Sequence, residues 1–425
     1  MDSLIARAVA VSPTIRAASF RVSGARARVG PAGARPDPML MAGVQNQPLG
    51  REAPTVSALG ATASSGRDPM TMHMIGVSQT FAYPGKLALR GAVAAHEVDA
   101  ATAAMDGARL GVIHDTRVAY YEIAYTDRAL GIIERNRAVL ADIARVTEAH
   151  YASGSGMQQD ILKARVALTQ LAQQANALRE LRRSQVATLN ALLDRPSDAP
   201  LDTATMPERI ARAAVPDSAE HIHFASNAFG AAASDSPLPS LTTFQAIAIA
   251  NSPMLREHEA RIAAQTARVT LAEKATRPDI DVSLQYGQRN GLTDMMSAIV
   301  SLPIPIQRAR KQGEDVAAAR AELAALEAEH HAQVNDLRAR VARLNADLER
   351  ERTQLALDVK ALLPQGRATL ATVTASYQAG KSDILSLLDS QSMLFTYETS
   401  YYRFLSDFGE TVAELGQVVG KEVLP

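Results

Sequence analysis

Hydrophobic positions recur with a helical period over most of the chain, and the pattern occurs twice. From Val316 through Leu323, Leu326, Val334, Leu337, Val341, Leu344 and Leu348 to Leu355 the apolar residues step mainly by three, four or seven. That is the seam of a coiled coil. Its counterpart begins after Pro84-Gly85, and residues 85–151 as one helix would span on the order of 100 Å at ~1.5 Å per residue. Each long stretch runs into Tyr-x-x-Gly, breaks, and resumes with helical period. Tyr151-Ala-Ser-Gly154-Ser-Gly156-Met-Gln-Gln-Asp160-Ile161-Leu162 reappears without a gap, 226 residues later, as Tyr377-Gln-Ala-Gly380-Lys-Ser-Asp383-Ile-Leu-Ser386-Leu387-Leu388. Glycine admits the left-handed conformation that ends a helix, and Ser155 or Ser382 is placed to start the next. Each copy reads as a tight turn between two long antiparallel helices. A repeat of this length is a duplicated domain-sized unit, not a solenoid module. Pro364 is expected to break or kink the second stretch, while the first has no proline at the matching place.

A shorter helix precedes each hairpin. Residues 2–34 carry Leu4, Ile5, Ala8, Val11 and Ile15 around Ser12-Pro13, and 241–276 carry Ser252-Pro253 in the same place 240 residues later. Both helices end in Arg-Pro-Asp, at 35–37 and 277–279, where proline biases the preceding residue toward extended geometry. The period then changes to two. Ile280, Val282, Leu284 and Tyr286 alternate with Asp281, Ser283, Gln285 and Gly287, and Met296, Ala298, Val300, Leu302, Ile304 and Ile306 share a face opposite Ser297 and Ser301. The turn at 288–291 completes a hairpin signal. The first half has the same pair at about 37–48 and 69–83, around a Gly/Ser/Pro-rich stretch at 49–68. Four strands per chain cannot close a barrel alone; they fit a barrel shared between chains.

These elements divide the chain into three parts. The first repeat covers 1–194, with a β-hairpin at about 37–83 and a long helical hairpin at 85–194 whose tip is 151–160. A linker rich in Pro, Ser, Asp and Ala covers 195–240. The second repeat covers 241–421, with a β-hairpin at about 279–306 and a helical hairpin at 307–421 whose tip is 377–386.

Composition narrows the function classes. Only 4% of the residues are aromatic, which suits helical seams better than a globular core. The 44 basic and 45 acidic residues leave a net charge of −1, so nothing points to nucleic acid. There is no cysteine, which excludes disulfides, thiolate chemistry and Cys-ligated zinc. No run of 18 apolar residues exists to form a transmembrane helix. The N-terminus lacks a basic stretch followed by an apolar segment, which fits either a cytosolic protein or one whose signal was removed. No phosphate-binding glycine loop, nucleophile elbow or His-Glu-x-x-His is present, so an enzyme is not expected and no cofactor is implied.

Three features together resemble the TolC-like outer-membrane efflux proteins over almost the whole chain. They are the duplicated helix–hairpin–helix plan, the Ser78-Gln-Thr-Phe-Ala-Tyr-Pro-Gly-Lys86 block, and the paired Tyr-x-x-Gly turns followed by Gln159-Asp-Ile-Leu-Lys-Ala164 and Leu387-Leu-Asp-Ser-Gln391. Gln158-Gln159-Asp160 and Phe81-Ala-Tyr-Pro-Gly-Lys-Leu look most like the heavy-metal-efflux branch, the CusC/CzcC type. The resemblance implies a mainly α fold with a small β part: a homotrimeric α-helical tunnel through the periplasm and a shared twelve-stranded β-barrel, four strands per chain, in the lipid of a Gram-negative outer membrane. It implies a passive exit duct that docks on a periplasmic adaptor (membrane fusion) protein and an RND-type inner-membrane pump, exporting heavy-metal ions. Multidrug efflux or type I secretion is the alternative within the fold, and a soluble coiled-coil scaffold the alternative outside it. The chain departs from the pattern in having no tryptophan for an aromatic girdle, so Phe81, Tyr83 and Tyr286 stand in.

The resemblance also assigns residues. Asp389 occupies one acidic ring position of the closed tip and Ser386 the other, so the ring is half as acidic; a solvated Asp389 is the plainer reading. Tyr377 and Asp160 match a tyrosine–carboxylate link that opening would break. The family's basic lock residue falls at Ser382. Gly154, Leu162, Gly380 and Leu388 match the tip surface that meets the adaptor, with turn geometry and packing as their other role. Met70, Met72 and Met74 share one face of a strand, with Met39 and Met41 in its neighbour. They read either as ordinary apolar residues or as soft-metal donors. His221, His223, His330 and His331 lack a third ligand nearby and read as exposed.

Overall fold

The computed structural model describes residues 1–46, 71–154, 156–215, 239–289 and 292–422. The first half folds as α1 (Asp2–Val11), α2 (Pro13–Gly33), β1 (Met39–Gln45), β2 (Met72–Phe81), α3 (Lys86–Ala152) and α4 (Gln158–Leu192), followed by the short α5 (Glu208–Ala214). The second half repeats the order with α6 (Leu241–Asn251), α7 (Pro253–Lys274), β3 (Ile280–Arg289), β4 (Met295–Ser301), α8 (Glu314–Leu357), α9 (Leu363–Gln378) and α10 (Ile384–Val419). The helices dominate and the strands are few, as the two periods require.

The breaks between helices follow from proline chemistry. Ser12 (φ −52°, ψ 119°) and Ser252 (φ −59°, ψ 119°) leave the helical region because each precedes a proline, and both are buried. What reads in the sequence as one helix at 2–34, and again at 241–276, is therefore two helices joined at a single extended residue. Pro364 acts differently. It cannot donate to the carbonyl of Lys360 and its ring crowds that oxygen. The chain widens into a π turn at Asp358–Leu362 and continues as α9, so the long stretch is adjusted without being broken. A second π turn, Ala309–Gly313, opens α8, where Gly313 N–H donates to Arg308 O at 2.8 Å.

Among the described residues the strands form one antiparallel sheet in the order β1-β2-β3-β4. β4 ends at Ser301, short of the expected alternation to Ile306, because Pro303 and Pro305 have no N–H for a ladder. The register fixes two faces. Leu40, Val77, Leu284 and Ala298 lie in one cross-strand row, with Ile75 and Tyr286, and Val282 and Val300, in the rows beside it. The opposite face carries Ser78, Thr80, Asp281, Ser283, Gln285, Arg289, Ser297 and Ser301, with Ile299 as its one branched apolar residue.

On the central strands β2 and β3 the apolar face is the more exposed one, while β1 and β4 are largely exposed on both faces. Leu40 is 72%, Val300 69% and Met296 77% accessible, while Gly76 and Gly287 on the polar face are buried. A sheet built for water does the reverse, since burying its apolar face is what stabilises it.

The chain packs as two compact units, each drawing on both halves. One comprises Met1–Phe20, Ala103–Arg256 and His331–Pro425; the other, which holds the sheet, comprises Arg21–Thr102 and Glu257–His330. In the first, the coiled-coil seam does what its spacing predicts. Leu337, Val341, Leu344, Leu348 and Leu355 of α8 are buried with Leu405, Phe408, Val412 and Leu415 of α10. A parallel layer joins α3 and α4 through Val112, Ile123, Val186 and Leu189. Tyr121 of α3, 1% exposed, reaches α10 at Gly409, where an added Cβ would come within 3.0 Å of the ring.

Candidate functional site

The two turns at the ends of the helical hairpins are built from the repeated motif. Gly154 (φ +77°) and Gly380 (φ +68°) both adopt the left-handed conformation, and both N–H groups donate at 3.0 Å, to Tyr151 O and Tyr377 O. An L side chain pays steric strain there, which is why glycine recurs. The turns then diverge. α4 starts at Gln158 after Met157 with no side-chain cap. α10 starts after Asp383, whose carboxylate accepts from Ser386 N at 3.2 Å and from the Ser386 hydroxyl. The cap expected from Ser382 is thus made by Asp383, one residue on, and Ser155 lies outside the described residues. The two hydrogen bonds from Ser386 hold the Asp383 carboxyl below the usual range.

The two repeated tyrosines also part company. Tyr151 is 48% exposed, whereas Tyr377 is 7% exposed and packs with Ile143, Ile384 and Leu387. The Thr147 hydroxyl donates to Ile143 O at 2.8 Å, so it receives the Tyr377 O–H, 2.9 Å away. The His150 ring lies 5.6 Å from that of Tyr377 at a 33° tilt. Within one chain the Tyr377 hydroxyl thus pairs with Thr147. Asp160 sits half-buried in the first turn of α4.

Three more of the sequence-assigned residues meet in one groove. Leu162 and Val166 of α4 face Leu385, Leu388 and Asp389 of α10 across a cavity of about 620 Å³. Its floor includes Gln391, which donates to Asn136 Oδ1 of α3 at 3.0 Å. Leu162 and Asp389 are exposed, Leu388 half-buried, and the Ser386 hydroxyl is turned to the Asp383 cap. Asp383 thus places a carboxylate next to Ser386. That charge was readable as an Asp-x-x-Ser capping pattern.

Sequence reasoning missed the junction where strand passes to helix, although both partners lie in motifs it singled out. Lys86, 6% exposed at the start of α3, donates to Asp279 Oδ1 and to Arg277 O, each at 2.7 Å. Tyr83 N–H donates to the same carboxylate oxygen at 2.8 Å. The Ser78–Lys86 block and the Arg277-Pro-Asp279 helix end are thus two sides of one knot. Burial works to raise the Asp279 carboxyl, but the Lys86 and Tyr83 hydrogen bonds outweigh it and hold the group below its ordinary value.

Among the described residues no group of three His, Asp or Glu side chains is placed to hold a metal ion, and no helix is long and apolar enough to cross a membrane. His330 and His331 lie on α8; His221, His223 and Met70 fall outside the described residues.

Duplicated helical hairpins with a small four-stranded antiparallel sheet are the fold that this chain shares with solved outer-membrane channels. The chain superposes on the outer-membrane channel OprN with a TM-score of 0.78 at 17% identity, over 100% of this chain and 90% of that one. VceC from Vibrio cholerae gives 0.77 at 17% (99% and 96% covered), and CusC gives 0.79 at 16% (99% and 92%). The Nodulation protein T of Rhizobium leguminosarum bv. trifolii is 24% identical over 337 residues, 77% of this chain and 67% of that protein. The chain matches the outer membrane efflux protein family over residues 4–195 and 246–421, and it belongs to that family.

Proposed function

We propose that this protein is the exit duct of a tripartite efflux system that carries heavy-metal ions out of a Gram-negative cell. The observation that carries the reading is the central pair of strands, β2 and β3, whose apolar face is more exposed than their polar face. Among the described residues β1 and β4 each have one edge without a strand partner. In lipid such edges cost several kcal/mol per unsatisfied group, and closure into a barrel removes them. Three copies of a four-stranded sheet make a closed wall with its apolar side to the lipid and its polar side to a lumen. The long helices then line a periplasmic conduit.

The turns are the docking end. Gly154, Gly380, Leu162 and Leu388 present the surface for a periplasmic adaptor, which couples the duct to an RND-type pump. Asp389, with the Asp383–Ser386 cap beside it, forms the acidic ring, and Tyr377 with Asp160 takes part in opening. Assignment to the CusC/CzcC branch rests on the Gln158-Gln159-Asp160 and Phe81-Ala-Tyr-Pro-Gly texture. The test is growth of a strain lacking the protein, with and without the complementing gene, on metal salts beside dyes, bile salts and antibiotics. Sensitivity confined to metals supports the reading. Sensitivity to the organic compounds moves the substrate to drugs, and none in either set removes the metal assignment.

A further inference from the structure

The methionines of the sheet are on the wrong face for lipid. Met39 and Met41 of β1, Met72 and Met74 of β2 and Met295 of β4 all share the polar face; only Met296 joins the apolar one. An apolar strand residue recruited for lipid contact would sit with Leu40, Val77 and Leu284. These five sit instead among Ser, Gln, Arg and Gly, where thioether chemistry is the property that distinguishes them.

The register draws three of them together over one glycine. Gly43, Met74, Gly287 and Met295 form one cross-strand row, so Met74 and Met295 flank Gly287 on its two sides. Met72, one step along β2 on the same face, lays its sulfur over the gap. A Cβ at Gly287 would lie 3.3 Å from Met72 Sδ. Adjacent strands are ~4.8 Å apart, so Met74 and Met295 stand ~10 Å apart at the backbone with the third sulfur between them, within reach of flexible thioether side chains. Met41, opposite Gly76, continues the track as a diagonal neighbour of Met74, and Met39 follows two residues on.

We propose that Met72, Met74 and Met295 form a soft-metal site over Gly287, the first station of a thioether track through Met41 and Met39 for Ag(I) or Cu(I). Neutral sulfur donors select soft monovalent ions, leave hard divalent ions to the solvent, and do not depend on pH. Weak, repeated donors also suit transit, since an ion must leave each station as readily as it arrives. The proposal rests on the reading of the sheet as a channel wall and names the class of ion that the wall would accept.

The test uses the full chain in lipid nanodiscs, with isotope-labelled methionine ε-methyl groups observed by NMR and assigned through single Met→Leu variants. Leucine conserves the volume, so folding is retained. Ag(I), added as a chloride-free salt, should move the signals of Met72, Met74 and Met295 in a saturable way and leave Met296 unmoved. Gly287→Ala, which crowds Met72 Sδ, should weaken that binding by on the order of tenfold. Zn(II) should move none of them. Equal response of Met296, or no saturable response at the three, overturns the proposal. A lipid-soluble spin label on the same sample should broaden Met296 alone. If it broadens Met72 and Met74 instead, the channel-wall reading fails, whatever silver does.

Discussion

Lys86→Met should be among the most damaging single changes that leave every apolar contact of the sheet in place. Its side chain is 7% exposed, and its ammonium holds the carboxylate of Asp279, whose side chain is 30% exposed, together with the Arg277 carbonyl. Breaking a fully buried pair costs about 3–5 kcal/mol and an exposed one about 0–1, so a pair open on one side falls near 2 kcal/mol. The orphaned Arg277 carbonyl adds about 1 kcal/mol. The total, about 3 kcal/mol, should appear as a lower denaturation midpoint of the detergent-solubilised protein by circular dichroism. Replacing both partners, as in Lys86→Met with Asp279→Leu, should cost less than Lys86→Met alone, because no unpaired charge is left.

The pH dependence has a fixed sign. Asp279 titrates below its unfolded value, so its contribution is present above the ordinary carboxylate range and is lost as pH falls through the depressed folded value. Lys86→Met should flatten that acid limb. A cost for Lys86→Met below ~0.5 kcal/mol, or simple additivity of the two changes, would refute the buried-pair account.

Three other outcomes are expected. Burial, then the neighbouring Glu122 charge, raises Glu410 to about 7 against the pull of Arg403; its contribution to stability should therefore be fully present below the ordinary Glu range and be lost as pH rises through neutrality, and Glu410→Gln should abolish that decline in a pH series of thermal scans. Tyr377→Phe should cost about 1 kcal/mol, and a double-mutant cycle with Thr147→Val should show the two residues coupled, whereas a cycle with Asp160→Asn in dissociated chains should not. Gly409→Ala drives a methyl against the Tyr121 ring and should destabilise the fold by about 1–2 kcal/mol, read as a lower thermal midpoint, despite the better helix propensity of alanine.

What could be read from the sequence was what local chemistry dictates. Glycine at 154 and 380 announces a left-handed turn, alternation at 280–286 announces a strand, and Ser-Pro at 12 and 252 announces a break. Two features without such a signature escaped. The π turn at Ala309–Gly313 has no characteristic residue pattern. The Lys86–Asp279 knot joins residues 193 positions apart, which two flagged motifs could not pair by themselves. The repeat also misleads where it equates residues. Tyr151 and Tyr377 align in sequence, yet only Tyr377 finds a buried hydroxyl partner, because Thr147 and Ile143 of α3 stand opposite it. Both strand faces were visible in the alternation; which of them is exposed became visible only with the fold.

The central claim is that the sheet's apolar face meets lipid and its polar face meets water. The natural absence of cysteine makes single-cysteine labelling clean. Ser283→Cys and Ser297→Cys on the polar face, and Leu284→Cys and Val300→Cys on the apolar face, should each be reconstituted in lipid and exposed to a water-soluble maleimide. The serine positions should label rapidly and the leucine and valine positions hardly at all. Rapid labelling of Leu284→Cys and Val300→Cys would put the apolar face in water and contradict the membrane channel.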